Sequence, residues 1–97
     1  MNLKITGLHF DVSDAIKQYA AEKLERINRH SANLISVSLT LSLDKPKHKA
    51  EAHAHLSGKD VHVEAVENDM YAAIDVLMDK LDRALIKHKE KSSDPRA

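Results

Sequence analysis

Cysteine and tryptophan are absent from this 97-residue chain, which holds only two glycines, two prolines, two tyrosines and one phenylalanine. Missing thiols exclude disulfides and thiolate metal sites, and they accord with a reducing, cytoplasmic setting. With so few aromatics, the core must be built from Leu, Ile, Val, Met and Ala. The glycines, Gly7 and Gly58, are too few and too far apart for a phosphate-cradling loop. There is no H-E-x-x-H spacing and no nucleophile with an adjacent base, so the chain predicts no catalytic residue, no cofactor and no small-molecule substrate. Its first residues, Met1-Asn2-Leu3-Lys4-Ile5, alternate in polarity instead of forming the apolar stretch of a signal peptide. No run is long enough to span a membrane as a helix.

What is present suits one small globular domain. Hydrophobic residues make up 42% and charged residues 31% of the chain, enough apolar surface for one core but not two. Leu3 and Ile5 alternate with Asn2 and Lys4, predicting a short strand that ends at Gly7. Ser13 is a candidate N-cap with Asp14 in the first helical turn. Ile16, Tyr19, Ala20, Leu24 and Ile27 then recur at helical spacing, so the first helix runs to about Arg29, and 30–33 break it.

Ile35, Val37, Leu39, Leu41 and Leu43 alternate with small hydroxyl residues, which predicts a strand buried on one face. A turn at 44–47 contains Pro46. Ala50, Ala52, Ala54 and Leu56 continue the buried face, and Val61, Val63 and Ala65 return to it after a hairpin turn centred on Gly58-Lys59. Asn68 or Asp69 caps a last helix reaching Lys91, whose core face is Met70, Ile74, Leu77, Met78, Leu81 and Leu85. The predicted fold is α+β, β-α-β-β-β-α. It has a four-stranded sheet with two helices packed on one face, like a double-stranded-RNA-binding domain. Residues 1–91 form the single domain and 92–97 a disordered tail.

Charge is balanced in total, fifteen basic against fifteen acidic residues, but segregated along the last helix. Lys80, Arg83, Lys87 and Lys91 follow one another at spacings of three, four and four, which puts them on one stripe. Asp75, Asp79 and Asp82 occupy a separate arc, although Asp79 and Arg83 form a favourable i,i+4 pair. A solvated face that complements the helix dipole explains the end-to-end polarity. A polyanion-facing edge explains the stripe as well, and both readings stand at this point.

On the first helix, Glu22 and Glu25 are placed to pair with Arg26 and Arg29. Lys23 has no such partner and is the better contact candidate. Lys45, Lys47 and Lys49, around the turn, add a third basic site that could track phosphates by shape. No aromatic pair lies on the strands to stack single-stranded bases.

Seven histidines raise a different possibility. A turn at Gly58-Lys59 places His55 opposite His62 and His53 opposite Glu64 on the polar sheet face, so His53, His55 and His62 could form a small metal-binding module. The competing reading is a solvated strand face whose imidazoles gain charge below about pH 6.5.

The stretch Asp69-Met70-Tyr71-Ala72-Ala73-Ile74-Asp75, followed by Asp79-Lys80-Leu81 and Arg83, resembles the bacterial ribosome hibernation promoting factors. Ile5-Thr6-Gly7 and Val12-Ser13-Asp14-Ala15-Ile16 resemble the same family, and the likeness spans residues 1–91. It implies a non-enzymatic domain, monomeric when free. Such a domain binds the small ribosomal subunit in the mRNA and tRNA channel, contacts ribosomal RNA and stops translation in stationary phase.

The family's rRNA-binding positions carry over to Lys23, Lys80, Arg83, Lys87 and Lys91, with Arg26 and Lys89 as neighbours of motif positions. Long-form members add a dimerising domain. Likeness to the short form implies joint action with a separate ribosome modulation factor to form inactive ribosome dimers. The alternative within the family is the tail-bearing paralogue, a translation inhibitor that opposes dimer formation. A general double-stranded RNA binder is a third reading.

Overall fold

The computed structural model describes residues 2–30 and 34–93, the side chains at 30 and 88–93 excepted. Six elements follow in the order β1 (Asn2–Leu8), α1 (Asp14–His30), β2 (Leu34–Asp44), β3 (Lys47–Leu56), β4 (Lys59–Glu67) and α2 (Met70–Ser93). The strands form one sheet in sequence order. β1 runs parallel to β2, and the other two pairings are antiparallel. A parallel pair needs a crossover, and α1 supplies it.

Rows of side chains cross the sheet in register. Leu3, Val37, Ala54 and Val61 form one row; Ile5, Leu39, Ala52 and Val63 the next; Gly7, Leu41, Ala50 and Ala65 a third. These rows meet Ile16, Ala20, Leu24 and Ile27 of α1 and Met70, Ala73, Ile74, Leu77, Met78, Leu81 and Leu85 of α2 in a single aliphatic core. Ala50, Ala52 and Ala54 are completely buried, and their small side chains let α2 settle closely on β3 and β4. Among the described residues, no helix covers the opposite sheet face.

Both helix starts follow from their caps. Ser13 Oγ accepts from the Ile16 amide at 3.2 Å, and Asp69 Oδ2 accepts from the Ala72 amide at 3.0 Å, so of the two candidates Asp69 caps α2.

β1 does not stop at Gly7 but pairs through Leu8. Glycine is required there, since a Cβ would lie 2.0 Å from the Phe10 carbonyl oxygen as the chain turns back toward α1. α2 continues two residues past the predicted boundary, and residues 94–97 of the predicted tail lie outside the described residues, as do 31–33 of the predicted break.

Two details of the sheet differ from the sequence pattern. Ile35 is 48% exposed, and Leu34 is buried in its place. The ladder passes from Leu34↔Leu56 to Ser36↔His55, so Ile35 is an extra residue bulged out of β2. The bulge restores the inward phase for Val37, Leu39 and Leu41.

In the β3–β4 hairpin the two turn residues are Ser57 and Gly58, not Gly58 and Lys59. Leu56 pairs with Lys59, and Gly58 takes a φ of 78° that suits its missing Cβ. This register places His55 opposite Asp60 and His53 opposite His62, with Glu51 opposite Glu64.

Candidate nucleic-acid interface

The two helices form one layer, and its outer surface carries the candidate contacts in three bands. Lys23 and Arg26 of α1 line an open groove against α2, together with Ile27, Asp75, Met78, Asp79 and Asp82. The acids of α2 therefore face α1. On the other flank of α2, Lys80 Nζ donates to the Glu64 carbonyl at 2.9 Å, which ties this side of the helix to edge strand β4. Across the layer the order is cationic, anionic, cationic. Lys23 and Arg26 are separated from the α2 row by a band of aspartates, and the two basic sites do not merge.

Lys23 is not without a partner. Its Nζ lies 3.3 Å from Asp75 Oδ1 and 5.3 Å from the centre of the Tyr19 ring. The Tyr19 hydroxyl donates to the same Asp75 oxygen at 2.5 Å, and the ring meets Tyr71 edge to face at 5.0 Å. The hydrogen bond to Asp75 is the main cause that raises the Tyr19 phenol above its ordinary 10.0, with burial adding to it.

Much of the motif read from sequence is thereby explained locally. Asp69 caps α2, Tyr71 packs on Tyr19, and Asp75 bridges to α1. Partners from another helix are invisible to i,i+4 counting, so Lys23 looked free in the sequence.

The α2 row divides in three. Arg83 Nη2 pairs with Asp79 at 3.1 Å, as the spacing predicts. Lys80 is exposed but anchored on Glu64, and Lys87 is exposed with no partner among the described residues. Lys89 and Lys91 fall on the last turns of α2, and their side chains lie outside the described residues. On α1, Arg29 pairs with Glu25 at 3.3 Å as expected. Glu22 instead accepts from Gln18 at 3.2 Å, leaving the exposed Arg26 turned to the groove.

The turn lysines separate as well. Lys45 and Lys47 are exposed. Lys49 lies on the polar sheet face, 3.2 Å from Glu51 and 3.5 Å from Glu64. Hydrogen bonding with Glu51 raises the Lys49 ammonium, and the Lys49 partnership lowers the Glu51 carboxyl against an opposing effect of burial.

The three histidines do not converge as the predicted register required. His53 and His55 share Asp60, at 3.4 and 2.5 Å, and these imidazoles, His55 first, hold its carboxyl below the usual 3.8. His62 turns to Glu51 at 3.3 Å. Among the described residues, the one trio whose potential ligand atoms lie within 4.8 Å of one another is Glu51, His62 and Glu64. Lys49 already supplies a cation to both of its carboxylates. No described helix is long and apolar enough to cross a membrane.

Comparison with known proteins agrees with this architecture. Residues 3–93 match the family model described as Sigma 54 modulation protein / S30EA ribosomal protein. The chain is 50% identical over 91 residues to a ribosome hibernation promoting factor of Azotobacter vinelandii, covering 94% of this chain and 85% of that one. It is 36% identical to the factor of the same name from Escherichia coli strain K12, covering 94% and 96%.

Among solved structures, a ribosomal subunit interface protein from Coxiella burnetii superposes with a TM-score of 0.89 at 30% identity, covering 93% of this chain and 99% of that one. The N-terminal domain of Protein Y from Thermus thermophilus gives 0.84 at 35% identity, covering 91% and 99%.

Proposed function

This chain belongs to the S30EA ribosomal protein family, which includes the ribosome hibernation promoting factors, and from that premise we propose that it silences idle ribosomes by occupying the small subunit. In this reading it lies in the mRNA and tRNA channel and touches ribosomal RNA through its helix layer. It thereby stops translation in the cytoplasm of stationary-phase cells. It binds as a monomer and, beside a separate modulation factor, promotes inactive ribosome dimers. The names of its relatives support the hibernation part of the reading.

The observation that carries it is the exposed cation row of α2, Lys80, Arg83 and Lys87, with Lys80 anchored on β4, in a chain whose formal net charge is zero. A surface of fixed helices that offers ammonium and guanidinium groups at turn spacing suits phosphate contacts that position, without base stacking. Lys23 and Arg26 add a second point of contact across the aspartate band, and Lys89 and Lys91 extend the row in sequence.

Replacing Lys80 and Arg83 together by Glu tests this reading. Co-sedimentation with small subunits is lost while circular dichroism and thermal unfolding stay near wild type. Binding retained at physiological salt overturns the reading. Wild-type binding weakens steeply as salt rises, because released counterions drive phosphate association. Sucrose-gradient profiles of stationary-phase cells with and without the gene test dimer promotion separately, and an increase of dimers on deletion contradicts it.

A further inference from the structure

Building on the ribosomal reading above, we propose that Asp75 and Asp79 determine specificity by holding Lys23 and Arg83 as ion pairs in the free chain. Each carboxylate sits on the acidic arc of α2 and reaches to one side. Asp75 takes Lys23 across the groove at 3.3 Å, and Asp79 takes Arg83 one turn on at 3.1 Å. All four side chains are at least one-third exposed, so an incoming polyanion can reach both pairs.

Asp75 is the fixed member of its pair, since the Tyr19 hydroxyl also holds it. When Lys23 turns to a phosphate, Asp75 stays behind in the groove as an anion without its cation. The same holds for Asp79 when Arg83 leaves. An arbitrary RNA therefore exchanges an internal ion pair for an external one and meets an uncompensated carboxylate beside its backbone. Like charges at such a contact oppose binding.

RNA also carries donors. Its 2′-hydroxyls and the exocyclic amino groups of its bases can hydrogen-bond a carboxylate. A folded RNA surface that presents such donors between phosphates satisfies cation and anion bands together, whereas one that meets the helix layer with phosphates alone leaves the carboxylates unsatisfied. The alternating bands thus select a shaped RNA surface over bulk RNA. This accounts for a nucleic-acid edge in a chain with no net charge, in which discrimination comes from repelling the wrong partner as well as attracting the right one.

The test compares wild type, Asp75→Asn, Asp79→Asn and Asp11→Asn. Asp11 lies exposed in the loop before α1 and belongs to neither pair, and its replacement makes the same change in net charge. Affinities are measured for a random-sequence RNA duplex over a salt series and for intact small subunits. Each pair-breaking variant raises duplex affinity about two- to fivefold at low salt, the worth of an exposed ion pair. Its salt dependence steepens by roughly one counterion. Asp11→Asn produces less than half of that gain, and the preference for small subunits over duplex falls at least twofold in the Asp75 and Asp79 variants alone.

Duplex affinities no higher than that of Asp11→Asn overturn the proposal. Asp79→Asn touches an exposed pair within one helix, so its result stands even where Asp75→Asn disturbs the packing of Tyr19. Failure of the wild-type chain to bind small subunits refutes the ribosomal reading instead, and the two failures are thereby distinct.

Discussion

Asp75 shows how much one side chain can settle. Its carboxylate accepts the Tyr19 hydroxyl, pairs with Lys23, and fixes α2 against α1 at a point where the helices otherwise meet through a groove. The raised Tyr19 phenol carries a definite linkage. The folded state keeps the proton longer than the unfolded chain, so this contribution to stability is complete below about pH 10 and is lost as pH rises through the higher folded value. Ultraviolet titration of a Tyr71→Phe background isolates Tyr19. Asp75→Asn brings its pKa back toward 10, and an unmoved titration contradicts the link.

Gly7 is a second decisive residue. With the Phe10 carbonyl oxygen 2.0 Å from any Cβ at this position, Gly7→Ala forces the β1–α1 connection outward. It should cost about 1–3 kcal/mol in denaturant unfolding.

At the scale of elements, the long alternations and helical periodicities in the sequence placed all six secondary structures. They did so because each element buries one face against a single core. The misses were of phase. A strand whose apolar run begins Leu34-Ile35 can bury either residue, and only the ladder with Leu56 shows that Ile35 is the bulged one. A turn around Gly58 can centre on either neighbour, and moving it by one residue slides the facing histidines by two. That shift dissolves the predicted His53, His55 and His62 constellation into two carboxylate-bound sets.

Those sets make an acid-side prediction for the open sheet face. Glu51 and Asp60 are both lowered from their ordinary 4.5 and 3.8, Glu51 by Lys49 and then His62, Asp60 by His55 and His53. The stability they contribute is present above those values and is lost as pH falls through the lower folded ones, below about pH 4. Asp60→Asn should flatten the acid limb of an unfolding curve by lowering the neutral plateau slightly, since the contribution it removes is fully present at neutral pH. The α2 core is far less tolerant. Leu81 is fully buried, and Leu81→Ala should cost about 2–5 kcal/mol in the same measurement.

Across the whole molecule, the arrangement of charge divides by face. The sheet's open side pairs within itself, imidazole against carboxylate and Lys49 against two glutamates. The helix layer keeps its charges in bands. The α2 row was legible in the sequence because a single helix fixes its own spacing. The relation between Lys23 and that row was not, because it depends on how α1 lies beside α2. The aspartates read on a separate arc stand between the two basic parts; Asp79 holds Arg83 as the spacing predicts, and Asp75 holds Lys23 across the groove. Balanced net charge is therefore arranged in space, and in the reading proposed above the alternation it creates is the property through which the chain meets RNA.

The most direct test of that account is co-sedimentation of the Lys80→Glu, Arg83→Glu double variant with purified small ribosomal subunits at physiological salt. A folded variant that stays in the supernatant, where the wild-type chain pellets with the subunit, is the predicted result. A folded variant that pellets as wild type does would contradict it, since the α2 cations would then play no part in binding.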